Sequence, residues 1–157
     1  MIWEVQKQCT QERICMNKAL IDSNILIYAH DTSSSYHTKA LHCIKKQIQL
    51  STAVFSIQNY LESYRIWTQK ILKPISSKFA WGIIDFYLDH PDVQSIFSTA
   101  EVFNEARKLS IQHNKVGVHI FDVQLVAMMN VFGISTLYTA NTKDFEEFDE
   151  INVVNPL

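Results

Sequence analysis

Ala19-Leu20-Ile21-Asp22-Ser23-Asn24-Ile25-Leu26-Ile27-Tyr28 places an acid between two apolar runs. Ala19-Leu20-Ile21 has the character of a short buried strand, and a short helix is expected after Ser23. A carboxylate at the end of a buried strand is costly unless it is paired or holds a cation. Alone, Asp22 also fits a turn or helix-capping acid. The rest of the chain decides between these readings.

Beyond Tyr28, short apolar runs alternate with longer helical patterns. Residues 36–50 predict a helix, with Leu41, Ile44 and Ile48 three and four apart. Ala53-Val54-Phe55 reads as a second strand, feeding a helix through about residue 71 with Ile57, Leu61 and Tyr64 on one face. Pro74 punctuates, since proline cannot continue a helix interior. Residues 76–89 form an aromatic-rich helix, His90-Pro91-Asp92 a turn, and Val93–Phe97 a strand. Ser98 followed by Glu101 predicts a capping box that opens a helix to about His113. Gly117 breaks the chain before an apolar helix at 120–132, and Gly133 suits its C-cap. Ile134–Tyr138 and Asn152-Val153-Val154 complete the strands. This alternation implies crossover connections: an α/β fold with a central parallel sheet of about five strands and helices on both faces. In such sheets ligands bind beyond the carboxyl ends of the strands.

The 157 residues fit one domain, and 47% hydrophobic with 19% charged residues excludes a disordered or collagen-like chain. Residues 1–15 are polar and aperiodic. Met16 is expected to be the natural start, with 1–15 a dispensable extension and 16–157 the domain; a genuine N-terminal helix or arm is the alternative. Cys9, Cys15 and Cys43 show no metal-ligand spacing. Their odd number, without a secretory signal, points to reduced thiols and a cytoplasmic setting. No apolar run is long enough to cross a membrane. The net charge of −2 does not announce a nucleic-acid binder.

Two further acids sit where the sheet's carboxyl edge should be. Glu62 lies one to two turns into the helix after the second strand. Asp122 opens the apolar helix at 120–132. Singly, Glu62 fits a solvated helix residue and Asp122 a helix-dipole acid. Asn141 and Asp144 follow the strand ending Leu137-Tyr138-Thr139. Together these oxygen-bearing positions make a hard-cation site, suited to magnesium or manganese. Neither a phosphate-cradling glycine loop nor a His-Glu-x-x-His pattern occurs.

Four stretches now carry a resemblance: Ala19-Leu-Ile-Asp22-Ser-Asn24-Ile-Leu-Ile-Tyr28, Asn59-Tyr-Leu-Glu62, Phe121-Asp122-Val-Gln-Leu-Val-Ala127 and Thr139-Ala-Asn141-Thr-Lys-Asp144-Phe145. In that order, and with the terminal Val153-Val154-Asn155-Pro156, residues 18–156 resemble the PIN-domain ribonucleases, and among them the VapC-type toxins of type II toxin–antitoxin systems. The resemblance implies a PIN-like three-layer α/β/α fold and Mg2+- or Mn2+-dependent hydrolysis of RNA phosphodiester bonds. It implies Asp22, Glu62 and Asp122 as core acids and metal ligands. Asp144 is the expected fourth acid and Asn141 a polar helper, because Asn141 stands where the family often has an aspartate, and the spacing to Asp144 is one residue longer. Asn24 resembles the residue that orients the first aspartate, and Thr139 the hydroxyl that supports the site. A small cognate antitoxin and a homodimer are implied as partners.

The charge distribution fits an RNA substrate better than the total does. Residues 35–78 hold seven bases (Lys39, Lys45, Lys46, Arg65, Lys70, Lys73 and Lys78) and one acid, Glu62, a net charge of +6. Asp144–Glu150 holds five acids. Phosphate neutralisation dominates nonspecific nucleic-acid affinity, so Lys39, Lys45, Lys46, Arg65 and Lys70 are RNA-binding candidates; a solvated helix face is the plain alternative. Tyr36, Tyr60, Tyr64 and Trp67 are candidates to stack on unpaired bases, while Tyr60, Tyr64 and Trp67 recur at a helical spacing that equally fits packing of the core or of a dimer. His119 is expected at the helix entry and Cys43 in packing. His30 and His37 flank the loop Thr32-Ser33-Ser34-Ser35, expected near substrate. Two other functions remain open: a housekeeping RNA-processing nuclease of the same fold, and a noncatalytic PIN-like RNA-binding or scaffold domain.

Overall fold

Five strands form one sheet in which every neighbouring pair is parallel. The computed structural model describes residues 17–157, so the expectations for residues 1–15, Met16, Cys9 and Cys15 lie outside the described residues. The strands are β1 (Ala19–Ile21), β2 (Ala53–Ser56), β3 (Val93–Ile96), β4 (Thr136–Tyr138) and β5 (Asn152–Val154). Helices α1 (Ser23–His30) and α2 (His37–Gln49) connect β1 to β2. Helices α3 (Ile57–Gln69) and α4 (Ser77–Leu88) connect β2 to β3, and α5 (Ala100–Gln112) and α6 (Ile120–Phe132) connect β3 to β4. The last crossover is a short 3-10 turn, Thr142–Phe145, rather than a helix.

The three layers come from the two-residue period of strand side chains. Leu20, Val54, Ile96 and Leu137 point to one face, into a core with Val102, Leu109, Val126 and Met129 of α5 and α6. Ile21, Ala53 and Phe55 point to the other, into a core with Ile25, Ile44, Trp67 and Ile84 of α1 to α4. All three β1 positions are buried, which is why this strand reads as an unbroken apolar run.

The strand order is β3-β2-β1-β4-β5. From β1 the chain builds outward through β2 and β3, then crosses to the other side of β1 to lay down β4 and β5. The direction of building therefore reverses between β1 and β4, and the crevice at that switch point is where an open α/β sheet binds ligands. The Asp22 N–H donates to the Tyr138 carbonyl at 2.9 Å, fixing the two strand ends side by side.

Two local expectations are corrected. The N-cap of α5 is Thr99, not Ser98: its hydroxyl accepts from the Val102 N–H at 3.2 Å. The helix starts one residue later than the Ser98–Glu101 spacing implied, and Ser98 Oγ instead accepts from Gln124 Nε2 at 2.8 Å. Thr99→Ala is therefore expected to cost ~1 kcal/mol and Ser98→Ala less than half of that, read by urea unfolding. The fourth strand begins at Thr136 rather than Ile134. Gly133 takes the left-handed conformation, φ 66°, and the Ile134 N–H is spent on the Met129 carbonyl, so residue 134 still belongs to the helix exit.

Candidate active site

Asp22 is the N-cap of α1, placed there because β1 ends and the first helical N–H groups need an acceptor. Its Oδ1 accepts from the Ser23 N–H at 2.6 Å. Its Oδ2 accepts from Asn24 Nδ2 at 2.6 Å and from the Thr139 hydroxyl at 2.7 Å. Asn24 spans the switch point: Nδ2 also reaches Thr139 Oγ1 at 3.0 Å, and Oδ1 accepts from the Ala140 N–H at 3.0 Å. The Asn24 and Thr139 side chains thus meet on the carboxylate itself.

Glu62 arrives from α3, whose start is fixed by a capping box at Ser56 and Asn59. The Asn59 N–H donates to Ser56 Oγ at 3.1 Å, and the Ser56 N–H donates to Asn59 Oδ1 at 3.0 Å. Glu62 Oε2 accepts from the Ser23 hydroxyl at 2.7 Å, and that hydroxyl is 3.3 Å from Asp22 Oδ1. One serine therefore joins the first two acids. Glu62 Oε1 accepts from Gln58 Nε2 at 2.8 Å. Neither Ser23 nor Gln58 was among the expected site residues. Gln58 was discoverable as the side chain four residues before Glu62 on one helical face; Ser23 carries no sequence signal beyond its place at a helix start.

Asp122 lies in the first turn of α6, half-buried. His119, as expected at the helix entry, holds Nδ1 3.6 Å from Asp122 Oδ2. Asp144 sits in the 3-10 turn, and its charge acts on Asp122. Asn141 is exposed; its N–H donates to Thr139 Oγ1 at 3.0 Å and its carbonyl accepts from the Asp144 N–H at 3.2 Å. The 142–150 segment is anchored from below by buried Phe145 and Phe148. From the side it is anchored by Glu147, which pairs with Lys115 and lies 3.3 Å from His113 Nδ1.

The acids thus stand as two pairs, Asp22 with Glu62 and Asp122 with Asp144, linked through Gln58, whose Nε2 is also 3.4 Å from the Phe121 carbonyl oxygen. Burial, helped by the Glu62 charge, pushes the Asp22 carboxyl up to about 6 against the hydrogen bonds from Thr139 and Ser23. Burial, then the Asp144 charge, raises Asp122, while His119 lowers it. Because the folded pKa of Asp22 exceeds the unfolded one, its contribution to stability is greatest below about pH 4. It is lost as pH rises to about 6, on the order of 3 kcal/mol in the metal-free protein.

Among the described residues, no group of three or more acids, histidines or cysteines is close enough to hold a metal ion unaided. Magnesium does not need one: it binds through one or two carboxylates, retained waters and substrate phosphates. The donor set fits. Asp22 and Glu62 offer hard carboxylate oxygens that, among the described residues, are held only by neutral donors and enter no ion pair.

The remaining candidates separate. Lys39, Lys45, Lys46, Arg65 and Lys70 are all exposed and, among the described residues, enter no ion pair. Tyr60 and Trp67 are fully buried, which corrects any base-stacking expectation for them: the Tyr60 hydroxyl lies 2.9 Å from Ser95 Oγ, and Trp67 Nε1 is 3.4 Å from the Ile27 carbonyl. Tyr64 packs on Trp81, and only Tyr36 is exposed, at 45%. His30 packs against core aromatics. It lies edge-on to Trp67 with Nε2 2.8 Å from the Tyr87 hydroxyl, and burial pushes its imidazole down to about 4. Cys43 is packing, its thiol pushed up to about 11 by burial.

No protein-family model and no curated protein matches the chain. Solved structures do. A chain of a DNA-bound VapBC complex from Salmonella typhimurium matches with a TM-score of 0.63 at 14% identity, covering 90% of this chain and 100% of that one. A chain of a toxin–antitoxin complex from Klebsiella pneumoniae matches with a TM-score of 0.60 at 19% identity, covering 89% and 98%. VapC20 of Mycobacterium tuberculosis, a sarcin–ricin loop cleaving toxin, matches with a TM-score of 0.58 at 15% identity, covering 76% and 87%. The chain has the PIN-like α/β/α fold of these structures.

Proposed function

We propose that the chain is a Mg2+- or Mn2+-dependent endoribonuclease, the toxin of a toxin–antitoxin pair, acting in the cytoplasm. One observation carries this reading: a buried aspartate at the switch point, joined to a second carboxylate through a serine hydroxyl, with no cationic side chain among the described residues paired to either. Such an arrangement is costly unless a cation is its purpose. Asp22 and Glu62 would hold that cation, with Asp122 and Asp144 completing the site from the α6 side. A bound divalent ion supplies an activated water and neutralises the scissile phosphate. Asn24 and Thr139 orient Asp22, and Ser23 and Gln58 orient Glu62. The exposed bases of α2 and α3 supply phosphate affinity. The toxin–antitoxin structures that share the fold support a small antitoxin partner, and a homodimer is proposed with it. A short neighbouring reading frame encoding a DNA-binding protein distinguishes the toxin from a housekeeping nuclease. The separation of the acids into two pairs favours one other reading, a noncatalytic RNA-binding or scaffold domain.

The site makes a pH-linked prediction. Below about pH 5 Asp22 is protonated and a cation must displace the proton, whereas near pH 7.5 it is ionised and strained by burial. At ten times its Kd a cation stabilises the fold by about 1.4 kcal/mol, a melting shift of roughly 3–5 °C for a domain of this size. Mg2+ or Mn2+ is expected to give that shift near pH 7.5 and little at about pH 5. Equal shifts at both pH values, or none, contradict a cation site at Asp22. Metal-dependent cleavage of labelled RNA tests the activity itself.

A further inference from the structure

Gln58 lies outside every motif residue, yet it is the only side chain among the described residues that hydrogen-bonds both to an acid of the first pair and to the element carrying the second. Its Nε2 donates to Glu62 Oε1 at 2.8 Å and is 3.4 Å from the Phe121 carbonyl oxygen, one residue before Asp122. Its other amide atom, Oε1, is enclosed and has no hydrogen-bond partner among the described residues. Two further features argue that this amide serves the site and not the fold. An enclosed, unpaired amide oxygen is destabilising, so an apolar side chain of the same length would suit this place better if stability were the only demand. And both Glu62 oxygens are held by neutral groups, Gln58 and Ser23. A lysine or arginine at position 58 would anchor Glu62 equally well but neutralise it, and a neutralised carboxylate is a poor cation ligand.

We infer that Gln58 is a positioning residue for cation binding: its amide ties Glu62 to the N-terminal end of α6, so that the two acid pairs keep one relative placement while Glu62 keeps its full charge. The inference rests on the proposed metal-dependent function and adds to it a residue that touches neither cation nor RNA. Partners of this kind typically contribute 10–100-fold to metal affinity.

The test is Mn2+ titration of the full chain by calorimetry, for the wild type, Gln58→Met, Gln58→Asn and an exposed control on the same helix, Gln69→Met. Methionine keeps the length and loses the amide; asparagine keeps the amide and cannot span both partners. Both position-58 variants are expected to weaken Mn2+ binding about tenfold or more, while Gln69→Met binds as wild type. The metal-free Gln58→Met protein melts no lower than wild type. RNA cleavage by both variants recovers as Mn2+ is raised, a shift in metal requirement that a merely structural defect does not produce. Wild-type Mn2+ affinity in either folded position-58 variant overturns the inference and leaves the proposed function standing. A wild-type chain that binds no Mn2+ overturns the proposed function, and the inference with it.

Discussion

Asp22→Asn is expected to reduce RNA cleavage by more than about a hundredfold while leaving the protein folded. Changing residues that merely support a metal ligand costs 10–100-fold, and this change removes the charge of the ligand itself. The fold survives because asparagine has the same shape and still caps α1, and because the buried charge that strains the metal-free protein is gone. In the absence of divalent cations, near neutral pH, the variant melts no lower than wild type. Asp122→Asn is expected to lose activity similarly; its carboxylate is less buried, so its melting point moves less. Cleavage rates with thermal melts of the same preparations check both. Full activity in either folded variant contradicts the assignment.

Trp67→Ala is expected to have the largest effect on stability, about 3–5 kcal/mol, a fall in Tm of roughly 10 °C or more. The indole is fully buried between α1 and α3, edge-on to His30, and nothing small enough to replace it fills that volume. Had Trp67 been a base-stacking residue, the alanine variant would fold normally and lose RNA affinity instead. Urea unfolding beside RNA binding separates the two, and Trp67→Phe should retain a good part of the lost stability.

Asp22 made the fold readable because its surroundings were extreme: an acid between two apolar runs has few structural explanations, and the strand, the helix start and the site are all anchored on it. The parallel sheet was legible for a similar reason. β1 and β2, buried on both faces, are short apolar runs, and short strands that alternate with helical patterns leave little freedom of architecture. Boundaries were less legible. Ser98 and Thr99 are both good caps, and which one takes the extended conformation before α5 is decided by tertiary contacts, here the hydrogen bond between Ser98 and Gln124. The aromatics of α3 were ambiguous because helical spacing says which residues share a face but not whether that face is inward. The pairing of the acids was not legible at all. It depends on Ser23 and Gln58, ordinary polar residues whose significance is that their side chains meet Glu62 from two directions. The Asn141 and Asp144 question was half legible: spacing allowed either, and the 3-10 turn brings the Asp144 charge toward Asp122 while Asn141 turns its backbone to Thr139.

The most direct test is cleavage of end-labelled RNAs by the purified chain with Mg2+ or Mn2+, with EDTA, and with Asp22→Asn in parallel. Discrete products that require the metal, vanish with EDTA and are absent for the variant are the expected result. Cleavage that persists in EDTA or in Asp22→Asn, or no metal-dependent cleavage across a varied set of RNAs, contradicts the account.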